Sequence, residues 1–494
     1  MFKKLYVLPV ATVLMPLAAS AIEVETTAGC LGENLGTEAT LTATELVVRG
    51  TVDVTDLVYI DEQMGQLESL DLSGATIVDY SGARVLGLTS HPAATIPARS
   101  FVGNSLTSIV LPSNVEAIGD AAFAGSSIKS ITLPATITSM GVGCFSSCTA
   151  LESATISTAS LGESTFADCT ALQSVTFTTN TAVGEGCFSG CTALATITGS
   201  ELATTIGARS FFNCSSLEAF TFGSGLQTIG DEAFAQSGVK IVDLQPCTAL
   251  TAVGSYSFAF MPAVTDINLG AVPSLGEGVV MNCPNLVNFV FSSTATAVPD
   301  YAYSGNAAMD TTYMFNSNVT SIGRYAMSGM SQISTVTLPA TTEEIGDNAM
   351  ERLSGLKSIT LRADAVPTLG SNVWAEVEQS LVTLYVNKEQ VSSFEAAEQW
   401  TEFEIVGMTS GVEDAVVADS AVRGRVADGI LYVESTGKEL AAVRVYAANG
   451  QLLAAAQASG LEAQVTVGQL PAQALVAAVQ LADGTVATLK IANN

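Results

Sequence analysis

Apolar residues return along most of this chain in one short pattern, apolar-x-x-apolar-x-apolar, as in Leu106, Ile109 and Leu111. Such alternation predicts a short strand with one face turned inward. The first apolar residue of each occurrence serves as an anchor. The anchors are Leu106, Ile128, Leu151, Leu172, Leu194, Leu217, Val239, Val264, Leu286, Met309, Ile333, Leu356 and Leu381. Their spacings are 22, 23, 21, 22, 23, 22, 25, 22, 23, 24, 23 and 25 residues. A second apolar marker follows each strand, usually four residues after a glycine. It is Phe123, Phe145, Phe166, Phe188, Phe211, Phe234 and Phe258, then Val280, Tyr303, Met327, Met350 and Trp374.

One unit holds too few apolar side chains to offset the entropy of ordering its backbone, so the units must stack. A period of about 20–29 residues with this strand pattern is that of a leucine-rich-repeat solenoid. Glycines such as Gly119, Gly207, Gly230, Gly323 and Gly346 are expected in tight backbone geometry before the Phe turn.

The flanks differ from the array. Residues 1–21 carry Lys3 and Lys4, an apolar run and a small-residue end at Ala21, the pattern of a cleaved signal peptide. Residues 22–105 read as an N-terminal cap with the first irregular repeats. Within them 41–50 is expected as a strand through Leu41, Leu46, Val47 and Val48. Residues 52–64 form a helix candidate capped by Asp53 or Thr55, and 67–77 a first repeat-like strand. The single histidine, His91, falls in an irregular coil and reads as a surface residue. The solenoid proper covers 106–380, and 381–408 closes it with a strand and a helix. That helix would be capped by Ser392 or Ser393 and bury Phe394, Ala397 and Trp400. Residues 409–421 are a small, polar, acidic linker. Residues 422–494 alternate strands with turns, including the hairpin signals Asn449-Gly450 and Asp483-Gly484. The expected fold is an α/β leucine-rich-repeat solenoid, strand-rich with few helices, followed by a small antiparallel β-sandwich domain.

The phrases LPSNVEAIGDAAFAGSS and FSGCTALATIT closely resemble the BspA-like leucine-rich repeats of exported bacterial proteins, as does the closing LYVNKEQVSSFEAAEQW. The resemblance covers residues 67–408. It implies a surface-exposed or secreted protein, adhesive in some members, and no catalysis. The C-terminal VRVYAANGQLL and LADGTVATLKIANN resemble the sorting domain of the type IX secretion system. There Ala474-Leu475-Val476 replaces the usual Gly-Val-Tyr. That likeness implies the secretion machinery as a partner and passage across an outer membrane. Asp310-Thr311-Thr312 and Asp419-Ser420-Ala421 resemble O-glycosylation acceptors of such proteins.

Composition narrows the function. The formal charge of −29 repels nucleic acid and anionic membranes, and suits either solubility or a basic partner. Beyond residues 1–21 no stretch is apolar for long enough to span a membrane. Of the nine cysteines, Cys148, Cys169, Cys191, Cys214 and Cys283 share one repeat position, three residues after the marker. Stacked coils could bring neighbouring sulfurs within disulfide reach. Ser237, Met261, Asn306, Met330 and Leu353 fill that position elsewhere, which reads as a packing slot for buried thiols. With one histidine and none of the common nucleophile, phosphate or metal motifs, the chain is expected to be no enzyme and to need no cofactor or metal.

Candidate binding residues lie on the outward sheet face. At anchor + 2 and anchor + 4 most repeats carry Ser or Thr, good exposed strand residues. The ladder breaks at Ile241, Asp243, Asp266, Asn268, Asn288, Val290 and Tyr313, a mixed acidic, amide and apolar patch. Repeat sheets are common binding surfaces, so the patch is the candidate site for a host or neighbouring-cell protein or glycan; drift in degenerate repeats accounts for it equally. The alternative to an adhesion-type surface protein is a passive structural surface component without a ligand.

Overall fold

A computed structural model describes residues 21–309, 312–408, 422–427, 430–435, 437–447, 452–466, 474–482 and 486–492. Residues 1–20, Asp310 and Thr311, residues 409–421 and both expected hairpin turns lie outside the described residues.

Each coil except that of Leu217 contributes one strand to a parallel sheet at the anchor pattern. The sheet is built in three segments, from Ile22–Thr26 to Thr196–Thr198, from Ile241–Asp243 to Asn288–Val290, and from Thr312–Met314 to Glu404–Met408. A second column of mostly two-residue strands runs behind it, through pairs such as Ala117–Ile118, Thr228–Ile229 and Thr368–Leu369. In most coils the anchor, anchor + 3 and anchor + 5 side chains meet the markers between the two, in one continuous core. At the last coil Val382 is buried in place of the expected anchor Leu381, which is 76% exposed.

The marker turn closes each coil by a device that periodicity alone does not show. Two residues in left-handed backbone flank each marker. Ala121 (φ 50°) and Gly125 (φ 67°) flank Phe123, and Ser164 (φ 53°) and Asp168 (φ 58°) flank Phe166. This aims alternate N–H groups along the solenoid axis. Ala121, Phe123 and Gly125 donate to the carbonyls of Val142, Cys144 and Ser146 at 2.9, 2.8 and 2.8 Å. The marker ring is driven inward and stacks on its neighbours. Phe101, Phe123, Phe145, Phe166, Phe188, Phe211, Phe234 and Phe258 form one pile with centroids 5.0–5.6 Å apart.

The glycines before this turn are tight in a different sense from the one expected. Gly119, Gly207, Gly230, Gly323 and Gly346 are absent from the left-handed region. Their constraint is the neighbouring coil: a Cβ on Gly119 would stand 2.4 Å from the backbone nitrogen of Ala98, and one on Gly230 2.4 Å from that of Ala208. Pro299 fills the same slot in one inner coil, and nothing in the structure explains that exception. Where Asp follows the glycine, its carboxylate accepts the N–H of the residue directly after the glycine of the following unit, as Asp231 Oδ1 does from Ser255 N (2.7 Å) and Asp347 Oδ1 from Ser371 N (2.6 Å).

The cysteine column is a packing slot of free thiols. Each Sγ donates to the carbonyl of the marker one coil back. Cys148, Cys169, Cys191, Cys214 and Cys283 reach the carbonyls of Phe123, Phe145, Phe166, Phe188 and Phe258, each at 3.1 Å. Asn306, in the same slot, donates to the Val280 carbonyl at 2.8 Å. Burial pushes the Cys283 thiol up to about 12 and Cys191 well above its ordinary value. A thiolate is disfavoured where water cannot solvate it.

The ends hold the corrections. Leu41, expected in a strand, lies in the helix Leu31–Thr42, and the strand is Glu45–Val52. The second helix, Val54–Gln63, starts as expected with Asp53 as its cap. Its Asp56 also accepts from Gly29 N (2.7 Å) and Leu31 N (3.0 Å), which ties the first helix to the second. His91 is 6% exposed. It ends a hairpin strand, Leu88–His91, paired with Tyr80–Val85, and its Nε2 sits 2.9 Å from the Val85 carbonyl. At the far end the helix is only Val391–Glu395, so Ser392 and Ser393 lie within it and Gln390 holds the cap position. Phe394 and Trp400 are buried, as expected.

Residues beyond 421 form two antiparallel sheets. One orders Val422–Ala427, Ile430–Ser435 and Glu462–Thr466; the other orders Leu452–Gln457, Leu440–Ala447, Ala474–Leu481 and Val486–Ala492. Leu431, Val433, Val443, Val445 and Val479 share a core separate from that of the solenoid.

Candidate ligand-binding surface

The outward face of the long sheet is the Ser/Thr ladder that the sequence predicts. Ser130, Ser153, Ser174 and Thr196 stand in one register line, and Thr132, Thr155, Thr176 and Thr198 in the next. Alternation of side chains across the strand turns both lines to solvent.

The ladder ends at a structural break. Residues 217–222 form no strand. After Thr198 the chain turns at Gly199 (φ 76°) into the short 3-10 helix Ser200–Leu202. The Ser200 hydroxyl then accepts from Thr221 N (2.9 Å) and donates to Thr221 O (3.1 Å). One side chain thus occupies both backbone groups that a strand partner would use. Phe220 and Phe222 turn inward at this coil. Their rings lie against Phe234 with centroids 5.1 and 5.4 Å away.

Pairing resumes in a segment of only three strands, Ile241–Asp243, Asp266–Asn268 and Asn288–Val290. Ile241, Asp266 and Asn288 form one register line; Asp243, Asn268 and Val290 form the other. Six of the seven predicted residues are therefore the whole outward face of this middle sheet. Tyr313 is not with them. It lies in Thr312–Met314, the first strand of the next sheet, opposite the buried Val336. Its partner in register is thus an inward position, and its side chain is outside the described residues.

The polar groups of the patch are held in place. Asp266 receives hydrogen bonds on both oxygens, from Asn288 Nδ2 and from Thr265 Oγ1, each at 2.6 Å. Asp243 and Asn268 each accept a backbone N–H two residues on, Gln245 and Gly270, at 3.0 Å. Ile241, 59% exposed, supplies apolar area beside them. Next to it Lys240 Nζ meets Glu218 Oε2 at 2.6 Å, an ion pair that strand alternation gave no reason to include. Spacing could have found it, since Glu218 and Lys240 both occupy anchor + 1 of adjacent coils. The arrangement suits recognition by hydrogen bonding around an apolar point. Among the described residues no group of three or more His, Cys, Asp or Glu side chains could hold a metal ion. A cleft of about 560 Å³ lies elsewhere, between the last coil and the cap, lined by Asn372, Trp374, Gln379, Glu398 and Gln399.

Comparison with known proteins places the repeats. The profile of the BspA type leucine rich repeat region matches residues 94–202, 181–310 and 307–412, well over half of the chain. A solved leucine-rich repeat protein from Bacteroides ovatus is 21% identical, covers 74% of this chain and 84% of its own, and superposes with a TM-score of 0.51. That likeness is one of fold. A leucine rich cell surface protein from Faecalibacterium prausnitzii is 21% identical over 50% of this chain and 82% of its own, with a TM-score of 0.29. The pneumococcal vaccine antigen PcpA is 13% identical over 79% and 84%, with a TM-score of 0.33. No curated protein sequence matches the chain.

Proposed function

The chain belongs to the BspA-type leucine-rich repeat family, and on that premise we propose that it is an exported, non-catalytic surface protein that holds a protein or glycan partner on its repeat sheet. The observation that carries this reading is the middle sheet. Three strands stand apart between two breaks, and every outward residue on them departs from the Ser/Thr ladder. Preset hydrogen bonds around Asp266 reduce the ordering cost of binding, and Ile241 offers an apolar anchor.

Binding of matrix proteins and glycans to the full chain tests the reading. The variant Ile241→Thr, Asp243→Thr, Asp266→Ser returns the face to ladder residues. It should bind its partner about tenfold more weakly or worse, with an unchanged melting temperature. Undiminished binding would refute the patch. Failure of the parent chain to bind anything in the panel would favour a passive surface component.

We read residues 1–21 as a signal peptide, 22–105 and 381–408 as the caps of a 106–380 solenoid, and 409–421 as a linker. Residues 422–494 would then be a β-sandwich that engages type IX secretion. Two antiparallel sheets with their own core support the last assignment, together with the phrase VRVYAANGQLL. Among the described residues no helix is long and apolar enough to cross a membrane. Deleting residues 422–494 should leave the repeats inside the cell envelope, detected by fractionation and immunoblotting. Normal delivery to the surface without those residues would overturn the sorting role.

A further inference from the structure

We propose a second binding surface on the turn edge of the solenoid, built on Tyr256, Tyr301 and Tyr325, that takes an arginine-bearing segment of a partner protein. It stands independently of the sheet-face reading.

The three tyrosines occupy the first left-handed position of their turns, at φ 55°, 57° and 54°. A bulky side chain is unfavourable in that backbone, which glycine and asparagine adopt readily. Five other coils place Gly143, Gly186, Gly278, Asn348 or Asn372 there and five place Arg99, Ala121, Ser164, Arg209 or Glu232, so what sets these three apart is the aromatic ring rather than the backbone. The core does not account for the rings. All three rings are half-exposed, and none belongs to the cluster beneath them.

The rings form a strip. Tyr301 and Tyr325 stack with centroids 5.0 Å apart and planes 7° apart. The Tyr256 ring lies over Gly278 in the next coil, where a Cβ would stand 2.3 Å from its Cε1. Carboxylates border the strip. Glu277 accepts from the Tyr256 hydroxyl at 2.7 Å, and Asp300 is 2.8 Å from Arg324. Phenol rings beside carboxylates, on a chain of net charge −29, favour a cation over an anion. A planar guanidinium suits them better than an ammonium, because it stacks on a ring while its N–H groups bond carboxylates. The same edge already shows this contact internally: the Arg209 guanidinium carbon sits 4.7 Å from the Phe212 ring centroid.

The test titrates a fluorescent peptide of alternating Arg and Gly into the full chain and reads anisotropy. The variant Tyr256→Asn, Tyr301→Asn, Tyr325→Asn should bind at least about tenfold more weakly. Its melting temperature should hold, since asparagine is native to this position in two coils; Tyr→Gly at the three sites is the second variant should the first melt early. A Lys-Gly peptide should bind the parent several-fold more weakly than Arg-Gly. Equal binding by parent and variant, or by Lys and Arg peptides, means capture by charge alone and overturns the proposal. So does no binding of the Arg peptide, or tyrosine-dependent binding of neutral oligosaccharides in its place.

Discussion

Replacing Phe188 by alanine is expected to lower the unfolding free energy by about 3–5 kcal/mol, the range for a large aromatic lost from a packed core. The ring is 0% exposed. It stacks between Phe166 (5.5 Å, 11°) and Phe211 (5.3 Å, 8°) and meets the edge of Phe177 at 6.5 Å. Coils on both sides are pinned by backbone bonds such as Phe188 N to Ser210 O at 2.8 Å, so they cannot collapse into the space. In a solenoid each unit is stabilised mainly by its neighbours, so one cavity weakens two interfaces. Denaturant titration of the variant against the parent measures the effect. A loss below about 1 kcal/mol would mean that the pile of rings is not the structural spine described here.

Gly230→Ala is the second large effect, at about 1–3 kcal/mol, the usual cost of overpacking. Its added methyl would lie 2.4 Å from Ala208 N, 2.7 Å from Gly207 C and 2.8 Å from Ala208 Cα. These are backbone atoms, so no side-chain rotation relieves the contact and two coils must separate. Gly225→Ala is the internal control. Nothing lies within 4 Å of a Cβ there, and its φ is not in the left-handed region. That substitution should be neutral or stabilise by up to about 1 kcal/mol, through a stiffer unfolded chain. Equal melting curves for the two variants would sink the account of the glycine column as a spacing constraint.

Much of the fold was legible because burial imposes a rule on every coil. Leu106, Ile109 and Leu111 repeat because three side chains of each strand must face one core, and the Phe marker repeats because the opposite wall must be filled. The cysteine slot could be read from its tolerance of Met and Leu. What it hides is polar: each thiol donates to a carbonyl, a role that Asn306 also fills. The ends were less legible. Leu41 looked like a strand residue, yet it is helical and exposed, and Gly36 in left-handed backbone sits inside the same helix. His91 looked exposed because its hairpin carries no strong turn signal, and the Val85 carbonyl that holds it is visible only once the hairpin is folded.

The candidate site divides along the same line. Alternation alone placed Ile241, Asp243, Asp266, Asn268, Asn288 and Val290 on one outward face, because strand side chains alternate without exception over three residues. It also put Tyr313 there, by counting from Met309 across a coil where the pairing changes sheets; backbone register aligns Tyr313 with Val336 instead. The sequence by itself thus determined the period, the inward letters and the plain Ser/Thr face. Those follow from local spacing and hydrophobicity. The tertiary structure decided where the sheet stops, which outward residues share a surface, and which turn residues stand in left-handed backbone. These depend on backbone groups about one repeat apart finding partners, and a single hydroxyl, that of Ser200, is enough to redirect them.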